Sequence, residues 1–246
     1  TPEQHTRLTL KADVEGTPIE LSGDLGDIDA ALDRTSTALK LSGAFDQNKV
    51  NISGEWGPVL PDTNLDLLLN LQVPSTSSIA AIAGYDMGDI GVLDVQARVR
   101  ATQGIFAIED IITLLDGEQT QSSINGGIDD IRLMQGVDLG VELNTEVLAH
   151  LIKQLNIELP VPIPSEVQLS AEVKGGKNGL SINKIKVQIR DEGLDLTLNG
   201  SITNLLSSRQ IDADFNAKID SLSALSKYAG MDLPALGAIN LSGSLA

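Results

Sequence analysis

Apolar and polar residues alternate with a period of two along most of this chain. The clearest run is TNLDLLLNLQV at residues 63–73, in which only Leu68 breaks the alternation. Its apolar side comprises Leu65, Leu67, Leu69, Leu71 and Val73. Because the side chains of a strand point alternately to its two faces, such a run predicts a β-strand with one apolar and one polar face.

Similar runs begin at residues 137, 167, 194 and 211. Turn sequences such as Asp116-Gly117 and Glu192-Gly193 separate them, which is typical of antiparallel strands. Three short segments have apolar residues at helical spacing instead, at 77–84, 145–155 and 220–230. Each is two to three turns long, too short to be stable alone, so we expect these helices to pack against a sheet.

The pattern repeats with a period of about 73 residues. Ile52-Ser53-Gly54, Ile124-Asn125-Gly126 and Leu198-Asn199-Gly200 recur at this interval. A second landmark, Leu65-Asp66-Leu67, recurs as Val137-Asp138-Leu139 and Ile211-Asp212-Ala213. Each unit would contain about four strands and one short helix, with approximate repeats at 1–88, 89–160 and 161–234 and a further one starting at 235–246. A unit too small to enclose its own core must stack on its neighbours, so residues 1–246 are predicted to form one continuous repeat array.

The sequence therefore predicts a mainly β protein whose stacked repeats form one curved sheet, an open gutter with an apolar groove. The alternative is a closed β-sandwich or barrel, in which the same residues form an ordinary core and the chain is a structural spacer. Periodicity alone does not separate the two, but a unit that can be added indefinitely favours the gutter. The candidate groove residues are Leu39, Leu41, Val50, Ile52, Trp56, Leu65, Leu67, Leu69, Leu71, Leu93, Val95, Val99, Val137, Leu139, Val141, Leu143, Val167, Leu169, Val173, Leu194, Leu196, Leu198, Ile211, Phe215, Ile219, Ile239 and Leu241.

A groove with such aliphatic walls suits acyl chains. Aromatic residues make up only 2% of the chain, which leaves room for a guest between the walls. Each buried methylene contributes about 0.8 kcal/mol, so a lipid tail needs no specific polar contact. We therefore expect lipid acyl chains as the ligand.

Composition narrows the possible functions further. The net charge of −17 argues against binding to nucleic acid, which needs clustered Lys and Arg. The chain has no Cys, which excludes thiolate metal sites, disulfides and Cys nucleophiles. It also has no apolar run long enough for a transmembrane helix.

Candidate chemistry is scarce. The two histidines, His5 and His150, stand in no catalytic or metal-binding pattern. The acidic stretch LSGDLGDIDAALD at 21–33 misses the spacing of a calcium-binding EF-hand loop and is better explained as a solvated turn. Glycines and lysines in KGGKNG at 174–179 precede no helix, so a hairpin turn is favoured over a phosphate-binding loop. We therefore predict no enzyme, no catalytic residues, no metal site and no cofactor.

Several segments carry a resemblance to a known family. GMDLPALGAINLSGSLA at 230–246 resembles the recurring helix–loop–strand signature of the AsmA-like family of Gram-negative envelope proteins. YDMGDIGVLDVQARV at 85–99 and IELPVPIPSEVQLSAEV at 157–173 resemble degenerate copies of it. TPIELSGDLGDIDAAL at 17–32 and KLSGAFDQNKVNISGEW at 40–56 resemble the strand pairs of that family. The second copy departs from the pattern with three prolines in its loop.

The resemblance implies a function. Family members are similar to bridge-like lipid transfer proteins built from a repeating β-groove, are anchored in the inner membrane and cross the periplasm. They are implicated in phospholipid transport towards the outer membrane and in outer-membrane biogenesis. This chain would then be an internal fragment, contacting the inner and outer membranes through parts outside it. An alternative function is a scaffold or assembly factor that offers sheet edges to outer-membrane β-barrel proteins.

Overall fold

One antiparallel sheet dominates this protein. The computed structural model describes the chain apart from residues 1–5, 15, 33–34, 58–63, 83–88, 147, 150–151, 153–161, 177–178, 206–209 and 246. Strands account for 67% of the described residues and helices for 9%. All fourteen strands found there belong to a single sheet whose spatial order follows the chain from first to last. The predicted mainly β fold is thereby confirmed.

The strands are 7 to 13 residues long. Their bounds are β1 (Arg7–Val14), β2 (Thr17–Asp24), β3 (Thr37–Phe45), β4 (Asn48–Trp56), β5 (Leu65–Val73), β6 (Val92–Thr102), β7 (Ile105–Asp116), β8 (Thr120–Ile128), β9 (Asp138–Thr145), β10 (Glu166–Gly176), β11 (Gly179–Asp191), β12 (Leu194–Thr203), β13 (Gln210–Ile219) and β14 (Ile239–Leu245). The helices with described bounds are α1 (Ile28–Leu32), α2 (Thr76–Ile82) and α3 (Ser226–Ala229), the last preceded by a 3₁₀ turn at Leu222–Leu225.

The sheet is open. Each strand pairs with the strands before and after it in the chain, always antiparallel, and β1 and β14 lie at opposite edges. It does not close into a barrel. Of the two architectures that the sequence left possible, the chain adopts the open curved sheet, so the apolar strand faces do not form the interior of a closed core.

Two β-bulges interrupt the regular pairing. They lie in β7, between Ile108 and Ile111, and in β11, between Ile182 and Ile185. Asp110 and Lys184 have φ values of 51° and 49° there, in the left-handed region that few residues other than Gly adopt. Each bulge adds a residue to its strand and shifts the alternation by one position, so apolar residues on both sides of the bulge keep the same face.

The recurring glycines mark a close backbone contact. A Cβ added at Gly126 in β8 would lie 1.9 Å from the carbonyl oxygen of Asp138 in β9. The same measurement gives 2.0 Å from Gly54 to Asp66 and 2.4 Å from Gly200 to Asp212. The two sets of repeated landmarks in the sequence are therefore the two sides of one contact. Glycine at such positions lets neighbouring strands approach and the sheet bend.

The helices that repeat lie along one rim of the sheet. In a meander all odd-numbered strands run in the same direction, so their C-terminal ends meet at one rim. α2 follows β5, a helical segment including residues 148–149 and 152 follows β9, and α3 follows β13. We call this the helical rim. The predicted helix at 77–84 is confirmed up to residue 82, beyond which it lies outside the described residues, and the one at 220–230 is confirmed as a 3₁₀ turn followed by α3. Most of the predicted helix at 145–155 lies outside the described residues.

Strand starts preserve the repeat, with one departure at the N-terminal end. β6, β10 and β14 begin at residues 92, 166 and 239. Four strands lie between consecutive helices of the helical rim from β6 onwards, but five precede α2. Helix α1 interrupts those five on the opposite rim, where the sequence predicted a solvated turn. Its Ala31 is fully buried next to Gly57, which explains why a helix forms there.

Burial is concentrated at the helical rim. Val73, Thr145 and Ile219 are at most 2% exposed, and each is the last residue of the strand that leads into a helix. Asn48, which begins β4 on the same rim, is also buried, and its carbonyl oxygen Oδ1 accepts a 3.0 Å hydrogen bond from Ser78 of α2. The helices thus seal one margin of the sheet and leave the middle of its apolar side uncovered.

Candidate functional site

The candidate site is the apolar face of the sheet. Residues that pair directly across an antiparallel ladder point to the same face, so the pairing register shows which side chains lie together. In the N-terminal half, one row across the strands runs Leu41, Ile52, Leu69 and Ala97. Side chains of this row are aliphatic on every strand.

The C-terminal half continues the face without a change of character. A second row runs Leu143, Leu169, Val187, Leu198 and Phe215 across β9 to β13. The bulges in β7 and β11 do not break it, because they keep their apolar residues in phase. The two halves therefore form one apolar surface over fourteen strands.

All the groove residues predicted from the sequence fall on this one face. The pairing register places every one that lies in a strand there. Val137, just before β9, belongs to it too, because a Cβ on the apolar-face residue Gly175 would touch its side chain. Trp56 lies at the margin, where its indole Nε1 donates a 2.8 Å hydrogen bond to the carbonyl of Leu25.

Sequence reasoning missed part of the face. The missed residues in the bulged strands are Phe106, Ile108, Ile111, Leu115, Leu180, Ile182, Ile185, Val187 and Ile189. A strict period of two does not extend across a bulge, so neither strand reads as one alternating run. The available signal was a pair of short runs in opposite phase, joined at polar pairs, Glu109-Asp110 in β7 and Asn183-Lys184 in β11.

The apolar face is long and open. Fourteen strands at the usual spacing of about 4.8 Å give it a length of about 60 Å. The chain has 15,290 Å² of accessible surface, whereas a compact protein of its 25.9 kDa has about 10,500 Å². Most apolar-face leucines and valines stay partly exposed rather than buried. Contiguous exposed apolar surface of this extent is unusual for a soluble monomer and indicates an interaction surface.

The polar face carries the charged groups. On β5 and β6, Asp66 accepts two hydrogen bonds from Arg98, at 2.5 and 2.7 Å, and Arg100 links Asp66 to Glu109 at 3.6 and 3.2 Å. The hydrogen bond from Arg98 lowers the pKa of Asp66 below its usual value. Being half exposed, this network contributes little to stability and mainly keeps the face hydrated.

Asp191, at the end of β11, anchors α3 to the helical rim. Its carboxylate accepts hydrogen bonds from Lys227 and Tyr228 of α3 and, at 2.9 Å, from Ser165 before β10. Burial raises the pKa of Asp191, but these hydrogen bonds outweigh it and hold the pKa well below its usual range. Burial and the neighbouring carboxylate raise the pKa of Tyr228. The cluster is structural, since its groups are occupied with one another.

A hollow of about 750 Å³ lies on the polar face, over β7 to β12. Amides and hydroxyls line it, including Gln121, Asn144, Gln168 and Thr197. Leu114, on the same face, is 50% exposed at its border. Leu115, Leu143 and Leu169 also line it, but by the pairing register most of its lining residues belong to the polar face, so this hollow is not an extension of the apolar face.

Other candidate chemistry does not assemble. His5 and His150 lie outside the described residues. Among the residues that are described, no three His, Asp or Glu side chains are grouped as a metal ion would require. In the acidic stretch, Asp24 accepts a hydrogen bond from the backbone N–H of Gly26, as in a turn. Among the described residues, no helix has the length and apolar character needed to cross a membrane.

Comparison with known proteins gives no relative. No family model, no curated protein and no solved structure matches the chain.

Proposed function

We propose that this chain is a segment of a bridge-like lipid transfer protein and that its apolar face holds phospholipid acyl chains. The observation that carries the proposal is the continuous aliphatic face on an open sheet. A closed core would cover these residues with protein, whereas here most of them stay partly exposed and the buried ones lie mainly near the rims. Acyl chains would remove the same surface from water at about 25 cal/mol per Å².

The uniform walls support transfer as well as binding. Most positions in the rows across the strands carry similar aliphatic side chains, so a lipid can move along the face without meeting a distinct site. The face is about 60 Å long, roughly twice the 30 Å hydrocarbon thickness of a bilayer. Several phospholipids could therefore lie on one chain of this length, with their headgroups towards the rims.

The resemblance to the AsmA-like family supplies the proposed location. By that analogy the chain works in the periplasm of a Gram-negative bacterium, within a protein anchored in the inner membrane, and moves phospholipid towards the outer membrane. Direct measurement of bound lipid is the first test. We expect phospholipid in native mass spectra and in organic extracts of the purified protein.

Charge substitutions on neighbouring residues provide a matched control. Leu67 and Leu68 are consecutive and both partly exposed, but Leu67 faces the apolar side and Leu68 the polar side next to Arg98. Leu115 and Leu114 form a second such pair on β7. Leu67→Asp and Leu115→Asp are expected to reduce bound lipid several-fold, because a carboxylate beside an acyl chain must be desolvated.

Leu68→Asp and Leu114→Asp are expected to leave lipid binding unchanged. All four variants should fold, as judged by circular dichroism, because neither face is a closed core. Absence of phospholipid from the wild-type protein would refute the proposal. Equal loss of lipid on both faces would show that the apolar face has no special role.

The scaffold function remains the second candidate because β1 and β14 form the edges of the described sheet. An edge strand has free backbone groups that can pair with another chain. A photo-reactive residue at Val141, in the middle of the apolar face, and another at Ser242, in β14, separate the two functions. Lipid captured at Val141 favours transfer, whereas unfolded β-barrel chains captured at Ser242 favour the scaffold.

A further inference from the structure

A firmly held turn connects β8 to β9 at the rim opposite the helices. The backbones of Asp130 and Gln135 exchange two hydrogen bonds, of 3.0 and 3.1 Å. The Asp130 carboxylate, in a residue only 8% exposed, also accepts from the backbone N–H groups of Arg132 at 2.9 Å and Leu133 at 3.3 Å. These bonds fix the conformation of residues 131–134, which we call the 131–134 turn.

The 131–134 turn exposes an unusual set of side chains. Ile131, Leu133 and Met134 are 37%, 62% and 44% exposed. Arg132 lies among them with 60% of its side chain exposed. The turn thus exposes three large apolar side chains to water around one cation. Such a grouping of exposed apolar residues indicates an interaction site.

The turn adjoins the apolar face. The backbone N–H of Ile131 donates a 2.9 Å hydrogen bond to the carbonyl of Phe106 in β7. Phe106 pairs with Ala101 on the apolar face, and the guanidinium carbon of Arg132 lies 5.8 Å from the centre of its ring. The cation of Arg132 is thereby placed at the margin of the lipid-facing surface.

Arg132 also keeps donors available. Arg98, Arg100 and Arg190 each hold a carboxylate within 3.2 Å or less. Within the described part of the chain, the carboxylate oxygen nearest to Arg132 is that of Asp130, which lies 4.0 Å from its Nε and already accepts from two backbone N–H groups. A guanidinium with free donors matches the geometry of a phosphate group.

We propose that Arg132 binds the phosphodiester of a phospholipid whose acyl chains lie on the apolar face, and that Leu133 and Met134 contact the first methylenes of those chains. This inference rests on the proposed function and adds to it a headgroup position. The headgroup would lie at the rim opposite the helices. Arg132 would select lipids that carry a phosphate over lipids that lack one.

The test is a competition for the purified full chain between a phosphatidylcholine and a diacylglycerol with the same acyl chains. We expect the wild type to bind more phosphatidylcholine than diacylglycerol. In Arg132→Gln the ratio of the two bound lipids should fall by about fivefold, as expected for the loss of one exposed charge-assisted contact. Arg132→Lys keeps the charge and should retain most of the preference. Arg190→Gln, which removes a half-exposed arginine from the polar face, should retain all of it.

Several results would overturn the inference while leaving the proposed function intact. One is a wild type that binds both lipids without preference. Another is an Arg132→Gln variant that prefers phospholipid as strongly as the wild type. Inorganic phosphate that binds at Arg132 while the lipid preference is unaffected would identify a free-anion site. If Arg132→Gln changes only co-sedimentation with phosphatidylcholine vesicles, Arg132 contacts a bilayer surface instead. Failure to bind either lipid refutes the proposed function itself.

Discussion

Replacement of Gly126 by alanine should disrupt the pairing of β8 with β9. The new Cβ would lie 1.9 Å from the carbonyl oxygen of Asp138 and 3.0 Å from the Cα of Leu139, both backbone atoms of the neighbouring strand. Gly126 also has a φ of 130°, which residues with a side chain rarely adopt. No rotation of a flexible group relieves either conflict, so the strands must move apart.

The cost follows from those two conflicts. A residue held in such a backbone conformation costs about 1–3 kcal/mol. Separation of the strands also weakens neighbouring ladder hydrogen bonds, at about 0.5–1.5 kcal/mol each. We expect a total loss of about 3–5 kcal/mol, a large share of the 5–15 kcal/mol typical of a folded domain.

The repeated glycines give an internal scale for this prediction. Gly54 has a comparable contact of 2.0 Å and a φ of 148°, so its replacement should cost nearly as much. Gly200 has a longer contact of 2.4 Å and no unusual φ, so Gly200→Ala should be milder. Gly237 meets no atom within 4 Å, and Gly237→Ala is the matched control with an expected change below about 0.5 kcal/mol.

Amide hydrogen exchange measured by mass spectrometry is the appropriate assay, because a sheet built of stacked units can open locally. Gly126→Ala should lose protection in β8 and β9 while β3 to β5 stay protected. Trp56 fluorescence reports on β4 and serves as the control that the N-terminal strands are unaffected. Amide exchange in β8 and β9 equal to that of Gly237→Ala would show that the close approach of β9 is not a constraint.

Two further predictions concern other parts of the sheet. Asp191→Asn should lower the stability of the α3 region by about 1–2 kcal/mol, read as a lower amide protection factor there. The wild type should lose this stabilisation progressively as pH falls below 3.8, the usual aspartate pKa, because a carboxylate with a lowered folded-state pKa stabilises only while it is ionised. Equal α3 protection factors at neutral and acidic pH would contradict this. Asp110→Gly should raise the free energy of unfolding by about 0.5–1 kcal/mol. Relief of the left-handed conformation at φ 51°, about 1–2 kcal/mol, exceeds the added entropy of the unfolded glycine chain. A lower free energy of unfolding would show that the Asp110 side chain stabilises the fold.

The sequence was sufficient to predict the sheet and most of its apolar face because both depend on strict alternation. Runs such as Leu65 to Val73 encode strand, face and phase at once. It did not predict β7 and β11 as single strands, because a bulge reverses the phase in mid-strand. It also missed α1, whose five residues are too few for a periodic signal and which depends on the tertiary contact between Ala31 and Gly57.

The sequence could not place the 131–134 turn relative to the apolar face. Ile131, Leu133 and Met134 read as a short apolar segment without period. Their position beside Phe106 depends on the pairing of β7 with β8, because that pairing brings the two ends of the hairpin together. Likewise, periodicity could not decide between an open and a closed sheet. The same apolar residues face the groove in the open sheet and the core in the closed one.

The agreement between strand order and chain order makes the span of this protein adjustable by whole units. Removal of residues 92–165 would delete β6 to β9 and bring β10, the counterpart of β6, next to β5 with the same direction and the same face. Such a deletion would shorten the sheet by about 19 Å at the usual strand spacing, and a duplication would lengthen it by the same step. The number of repeat copies in a gene for such a sheet therefore sets the length of the sheet.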